Sequence, residues 1–567
     1  MDERTRTDLF VHDMVHDNPG LTKYQSAYNN PKFLKARGYD GKTFDLYNCA
    51  QYGLLWDGVA EKYGREPIFP KGSKQRAWVE QHKANLQTLY AQAAAEGLKV
   101  SFMMDMIVFP RAMLQSFPEI LNENGEIDIG KAITQELMQE MFDEMFREYP
   151  QISGIYVRYG ETYAQEKYGI PYHTGNNPIL GGAEEYHLTL IRFLIQTVCE
   201  KHQREIYYRS WGFSSFQRDK ETYLRVSEQI PTHDKFYFCI KHTAGDFWRN
   251  VPFNQSLNSG KHQQIVEVQA AREYEGKGAH PNYIGSDVIN GAEEYKMLLQ
   301  EREKKSLRDV INVENSLVKG IWTWSRGGGW DGPYLSGKNG KNGEIVVKNG
   351  KELWCDLNAY VLSQWAKDTS KSDQYYAKQY AKEVLGTSDT DAQIFYELCL
   401  LSSRAVLFGR GTTTDKYDWC ILWTRDQNIN PEHFHTNVKN AVQAGVANEL
   451  LLEKAQSVAF WKEIVALSEK ITTGNAVDYI RVTCKYGYYL YAIFETMYRA
   501  NVRALQKDER GVQAAIQEYD SLWKGWQALK AENDCCPTLY EKKNENLDML
   551  CYRGNFGFDS VMDGLRK

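Results

Sequence analysis

The sequence lacks what several large functional classes require. No run approaches the roughly 18 consecutive apolar residues of a membrane-spanning helix, so no membrane partner is expected. The opening MDERTRTDLFVHDMVHD is charged and has no apolar core of a signal peptide. As it stands the chain reads as cytoplasmic, and as periplasmic or secreted if a leader had been removed. A basic excess is missing: Lys and Arg total 68 against 74 Asp and Glu, a net charge of −6, which argues against nucleic-acid binding. The ten cysteines form no CxxC pair, which excludes a zinc ribbon or a thioredoxin motif. There is no GxxxxGK[ST] phosphate loop and no GxSxG nucleophile elbow. The HxxxH spacing of His12 and His16 reads as strand and lacks the HExxH glutamate, so no metal and no cofactor is expected.

What is present is ordinary globular material. Hydrophobic residues make up 42% of the 567 and charged residues 25%, with an aromatic share of 13%. Short apolar runs recur up to residue 326, at 9–15, 43–49, 99–106, 154–159, 205–211, 235–241, 264–270 and 320–325. Helical patterns such as WVEQHKANLQTLYAQAAAEGL and EEYHLTLIRFLIQTVCEKH separate several of them. Strands alternating with helices favour a parallel sheet. Eight such units predict a (β/α)8 TIM barrel over 1–350, with a doubly wound open sheet as the rival. A further run, NYIGSDV at 282–288, makes the strand count uncertain by one. The Asn-Gly pairs of SGKNGKNGEIVVKNG predict a hairpin at 336–350. From 351 to 567 the spacing turns helical, which predicts a mostly α-helical C-terminal domain.

In such a barrel the working residues sit at the C-terminal ends of the strands. Polar groups expected there are Asp13, Asn18, Asn48, Asp105, Arg158, Glu161, Arg209, Lys241, Asp246, Glu273 and Arg326. Glu161, in IYVRYGETY, is either a partner of Arg158 or a general acid whose pKa is raised among Tyr156, Tyr159 and Tyr163. Asp246 and Glu273 are candidates to hold and deprotonate one water, with Glu267 and Glu275 as nearby alternatives and Glu267 read also as a satisfied interior group. Arg158, Arg209 and Lys241 on neighbouring strands repel one another. Either carboxylates such as Asp246 neutralise them or an anionic ligand does. Trp322, Trp324 and Trp330, in GIWTWSRGGGWDGPY, are candidates to stack on a sugar.

The run from 154 to 326 resembles the catalytic barrel of glycoside hydrolase family 67, the α-glucuronidases. VRYGET is similar to the family's strand-four motif with one residue fewer, which implies that Glu161 is the general acid and Arg158 stands where the family has a carboxylate-binding Lys. YRSWGF implies a uronate-binding role for Arg209, and IKHTAGDF implies Lys241 as a carboxylate ligand and Asp246 as a catalytic carboxylate. REYEG is similar to the motif that supplies the other catalytic carboxylate, here Glu273. The chain departs from the family in having no separate N-terminal β-domain, in Arg158 and in its eighth strand. The expectation is a glycoside hydrolase that removes a terminal uronic acid, α-glucuronate first, from an acidic oligo- or polysaccharide with inversion. Asn48, Asp105, Trp324 and Arg326 complete the expected substrate-binding set. The alternatives are a non-catalytic acidic-glycan-binding protein and a uronide lyase. A homodimer through the helical domain is one assembly the resemblance allows.

Overall fold

Eight parallel strands close into a barrel in chain order: β1 (Phe10–His16), β2 (Gly41–Phe44), β3 (Lys99–Asp105), β4 (Ile152–Arg158), β5 (Glu205–Arg209), β6 (Phe236–Lys241), β7 (Gln264–Gln269) and β8 (Val318–Gly327). The computed structural model describes residues 5–16, 26–159, 169–173, 183–212, 215–247, 249, 251–272, 275–293, 299–300, 303–327, 352–410, 431–533, 535–537, 548–549, 552–553 and 558–566. β8 seals the barrel against β1, pairing Phe10 with Gly320 and Val11 with Ile321. The predicted TIM barrel with a helical C-terminal region is therefore the observed fold, and the open sheet is excluded.

The strands form where both faces are buried, so they read as nearly continuous apolar runs. One face meets the surrounding helices through residues such as Met104, Val157, Tyr208, Ile240 and Ile321. The alternate residues fill the barrel: Met14, Met103, Tyr156, Tyr207, Tyr237, Cys239, Ile265, Trp322 and Trp324. Tyr156, Tyr207 and Tyr237 stack in sequence across β4, β5 and β6, with ring centroids 4.4 and 5.2 Å apart, and Trp322 lies 4.1 Å from Tyr156 on the other side. Such offset aromatic pairs add about 0.5–1.5 kcal/mol each beyond their burial.

The longer barrel helices are α1 (Lys74–Ala95), α2 (Ala132–Glu148), α3 (Glu184–Leu194) and α4 (Lys220–Ser227). Their starts follow local chemistry: the Ser73 hydroxyl accepts from the Arg76 N–H to cap α1, and the Asp219 carboxylate accepts from the Glu221 and Thr222 N–H groups to cap α4. Two strand expectations shift. The second strand ends at Phe44 rather than running to 49, because the Asp45 carboxylate captures the Asn48 N–H at 3.0 Å and folds Leu46–Asn48 into a turn. NYIGSDV is not a strand; Gly285–Asn290 is a short helix, and all eight barrel places are filled without it. The hairpin expected at 336–350 lies outside the described residues.

Among the described residues seven long helices follow: α5 (Leu353–Lys367), α6 (Asp373–Glu383), α7 (Asp389–Arg410), α8 (Pro431–Gln443), α9 (Ala447–Lys470), α10 (Val477–Leu505) and α11 (Glu509–Glu532). α5 is buried nearly all round because it lies between the barrel and the other helices, packed on β8, β1 and α6. Its Asp356 accepts hydrogen bonds from Tyr28 (2.6 Å) and Arg37 (3.1 Å) of the barrel and from Tyr380 of α6 (2.9 Å). Among the described residues no helix is long and apolar enough to cross a membrane.

Candidate active site

Strand alternation decides which polar residues enter the barrel. Asp105, Arg158, Arg209, Lys241 and Glu267 share the parity of the inward-facing set, and all lie at or near the C-terminal strand ends. With Asp246 they form three ion pairs. Arg158 on β4 grips Asp105 on β3 through two guanidinium nitrogens, one of them Nη2 at 2.8 Å from Oδ2. Arg209 on β5 donates to both oxygens of Glu267 on β7, Nε to Oε2 at 2.9 Å and Nη2 to Oε1 at 2.6 Å. Lys241 on β6 pairs with Asp246 in the loop that follows.

These pairs answer the question left open by the charge pattern: each of the three cations is neutralised by a carboxylate within the protein. Glu267 is a satisfied interior group, with 0% side-chain exposure against 1% for Arg209. The expected direct grip of Arg209 on substrate is corrected by this geometry, since both oxygens of Glu267 occupy its fork and its guanidinium lies 5.6 and 5.5 Å from the rings of Trp322 and Trp324. Lys241 is different. Its ammonium sits 3.8 Å from the centre of the Trp211 ring and 4.2 Å from that of Phe247, an aromatic cage that favours a cation. Burial pushes the ammonium below the usual lysine range, and Asp246 pulls the other way. The Asp246 side chain is 13% exposed, more open than its lysine partner.

The cage was missed in the sequence, although parity could have found half of it: Trp211 lies two residues beyond Arg209. Phe247 follows Asp246 and takes a left-handed backbone with φ of 64°, which re-aims the chain beneath the lysine. The short helix Ser215–Arg218 was also missed. Gln217 anchors it, accepting from the Ser210 hydroxyl and donating to the Thr243 carbonyl at 2.9 Å, and its Arg218 carries a charge within reach of Asp246.

The other expected residues divide. Trp324 points inward at the barrel mouth, 5.6 Å from Phe247 and 5.2 Å from His16. Trp322 is fully buried against Tyr156, so it is not a surface for a sugar. Tyr156 is likewise buried in the stack, and Tyr159 donates to the Ser210 carbonyl at 2.7 Å. Asn48 donates its side-chain amide to Asp45 at 2.7 Å. Arg326 does not face the mouth openly: it is 2% exposed, its Nη1 lies 3.3 Å from the Cys355 sulfur and its Nε 3.6 Å from Glu352, both in the segment that begins the helical region. Asp13 has the opposite parity to the interior set. It accepts from Thr323 (2.6 Å), the Ser325 hydroxyl (2.8 Å) and the Ser325 N–H (3.1 Å), and burial lifts its carboxyl to about 6. Glu161, Glu273, Asn18, Tyr163 and Trp330 lie outside the described residues. Glu275 is half-buried beside Arg272; desolvation alone would raise its carboxyl, but the guanidinium overrides this and holds it low. Among the described residues no group of three or more His, Cys, Asp or Glu is placed to hold a metal ion.

No family model matches the chain, and no curated protein matches it. Solved structures do. The fold is similar to that of a GH138 enzyme targeting pectin rhamnogalacturonan II, with a TM-score of 0.54 and 11% identity over 95% of this chain. The chain spans 64% of that enzyme's length. A GH115 4-O-methyl-α-glucuronidase with specificity for decorated arabinogalactans aligns at a TM-score of 0.39 and 12% identity, over 96% of this chain and 64% of that one. A mutant of the Thermobaculum terrenum O-GlcNAc hydrolase aligns at 0.40 and 9% identity, over 93% and 91%. All three are glycoside hydrolases, and none is named as a member of family 67. The likeness is one of fold, and the family-67 resemblance rests on the sequence motifs alone.

Proposed function

We propose that the chain is a glycoside hydrolase that releases a terminal uronic acid, α-linked glucuronate first among the candidates, from an acidic oligo- or polysaccharide. The observation that carries this reading is the Lys241–Asp246 pair: a caged ammonium beside a partly solvent-open carboxylate at the C-terminal mouth of the barrel. A uronate carboxylate entering the mouth shares the Lys241 charge with Asp246, which lets Asp246 accept a proton from water. Arg158 and Arg209, already paired with Asp105 and Glu267, act in this reading through the rigid floor they build. Glu161 protonates the departing oxygen, and Asp246 with Glu273 deprotonates the attacking water. In an inverting enzyme the acid and base stand about 6.5–9.5 Å apart to admit that water.

The test is a panel of aldouronic acids and uronide-capped oligosaccharides, including fragments of pectin rhamnogalacturonan II, with NMR of the first anomer released. Inverted uronic acid from wild type, and its loss in Asp246→Asn and Glu273→Gln, supports the reading. Glu161→Gln lowers turnover of poor leaving groups far more than of activated aryl glycosides. Release of neutral sugars alone overturns the uronate specificity. Unsaturated product absorbing near 235 nm indicates the lyase, and tight uronide binding without product indicates a binding protein.

A further inference from the structure

We propose that Asn358 positions the loop that follows β7, so that the helical domain builds part of the active site. Asn358 lies on α5 and is 1% exposed. Its amide nitrogen donates to the Ala270 carbonyl at 3.2 Å and to the Asn282 carbonyl at 3.0 Å, and its amide oxygen accepts the Ile284 N–H at 3.0 Å. All three bonds go to the two ends of one segment, 270–284, which starts where β7 stops. A side-chain amide has two N–H donors and one carbonyl oxygen, and here both donors and the oxygen are engaged. Asn358 therefore staples both ends of the loop, holding them at a fixed separation.

The staple reaches toward the candidate chemistry through a short chain of contacts. The Asn282 side chain donates to the Glu275 carboxylate at 3.1 Å, and Glu275 also accepts from Arg272 and from the Arg249 N–H at 3.3 Å. Arg249 belongs to the β6 loop that carries Asp246. The same loop presses on α5 one turn earlier. Gly278 has φ of 79°, and a Cβ there would overlap the Cys355 sulfur, so the loop crosses the helix at a distance only glycine allows. Cys355 in turn contacts Arg326 at the end of β8. One face of α5 thus holds the β7 loop and the β8 end in a single register.

The experiment compares Asn358→Asp with Asp356→Asn in the full chain. Asn358→Asp keeps the acceptor for Ile284 and turns both donors into acceptors facing carbonyls. Asp356→Asn alters the same domain interface at Tyr28, Arg37 and Tyr380, with no bond to the loop among its contacts above. Amide exchange read by mass spectrometry is expected to quicken at least tenfold in peptides from 270–284 for Asn358→Asp and to stay within twofold for Asp356→Asn. The kinetic arm rests on the proposed uronide hydrolysis: kcat falls tenfold or more for Asn358→Asp while KM stays within twofold. Asn358→Ser, with one donor and one acceptor on a shorter stem, gives the intermediate value of both and serves where the aspartate variant does not fold. Unchanged loop exchange overturns the staple. Equal losses in the Asp356 variant overturn a local role, and a loosened loop with full kcat overturns the positioning. Absence of uronide hydrolysis in wild type overturns the proposed function instead, and the exchange comparison still decides whether Asn358 holds the segment.

Discussion

Replacing Glu267 by Gln removes one charge from the driest ion pair of the barrel. The glutamine keeps the volume of the side chain and one of its oxygens, so packing is little disturbed. What changes is that Arg209, 1% exposed and wedged over Trp322 and Trp324, keeps its charge with no anion at its fork. Its neighbours include Met103, Cys239, the two tryptophans and a second cation, Arg158, and none of these supplies an anion. Breaking a buried pair by removing one partner costs about 3–5 kcal/mol, several times the worth of an exposed pair. The assay is urea unfolding followed by tryptophan fluorescence, with Arg209→Met and the double variant Arg209→Met/Glu267→Leu in parallel. Either single variant is expected to lose about 3–5 kcal/mol, and the double variant to recover most of it, since an apolar pair of similar volume leaves no stranded charge. A loss below about 1 kcal/mol for Glu267→Gln, or a double variant as weak as the two singles added together, refutes the argument.

Three further outcomes rest on the geometry. Asp13 titrates near 6 in the fold against an ordinary 3.8, so the folded chain binds more protons than the unfolded chain between those values; stability therefore declines as pH rises through that window, and Asp13→Asn flattens the decline in pH-resolved denaturation. The slope corresponds to roughly 1.4 kcal/mol per unit of displacement. Lys241→Met removes the caged cation and is expected to raise KM for uronides at least tenfold while leaving binding of neutral sugars alone, read by calorimetry on both ligand classes. Gly487→Ala on α10 drives a methyl into the Trp461 ring of α9 and should cost about 1–3 kcal/mol, measured as a lowered unfolding midpoint.

The barrel was legible in the sequence because a strand covered on both faces must be apolar throughout. FYFCIK announces itself without any tertiary information. Boundaries were less legible where a side chain competes for backbone bonds, as Asp45 does at the end of β2. NYIGSDV misled because a short apolar run is shared by strands and buried helix starts. The cations at the mouth could be named from strand-end position, but their partners could not. Arg209 and Glu267 are 58 residues apart, and nothing local links them. The cage around Lys241 joins the end of β5 to a left-handed turn after β6, a juxtaposition that only the closed barrel creates.

The seal between β1 and β8 has a consequence for how the molecule comes into being. Phe10 pairs in register with Gly320, so the ring cannot shut until residue 320 has left the ribosome. Contacts of such wide separation slow the search for the native state. Until then β1 carries a bare edge, and a nascent chain stalled before residue 318 is the species that a chaperone would have reason to hold.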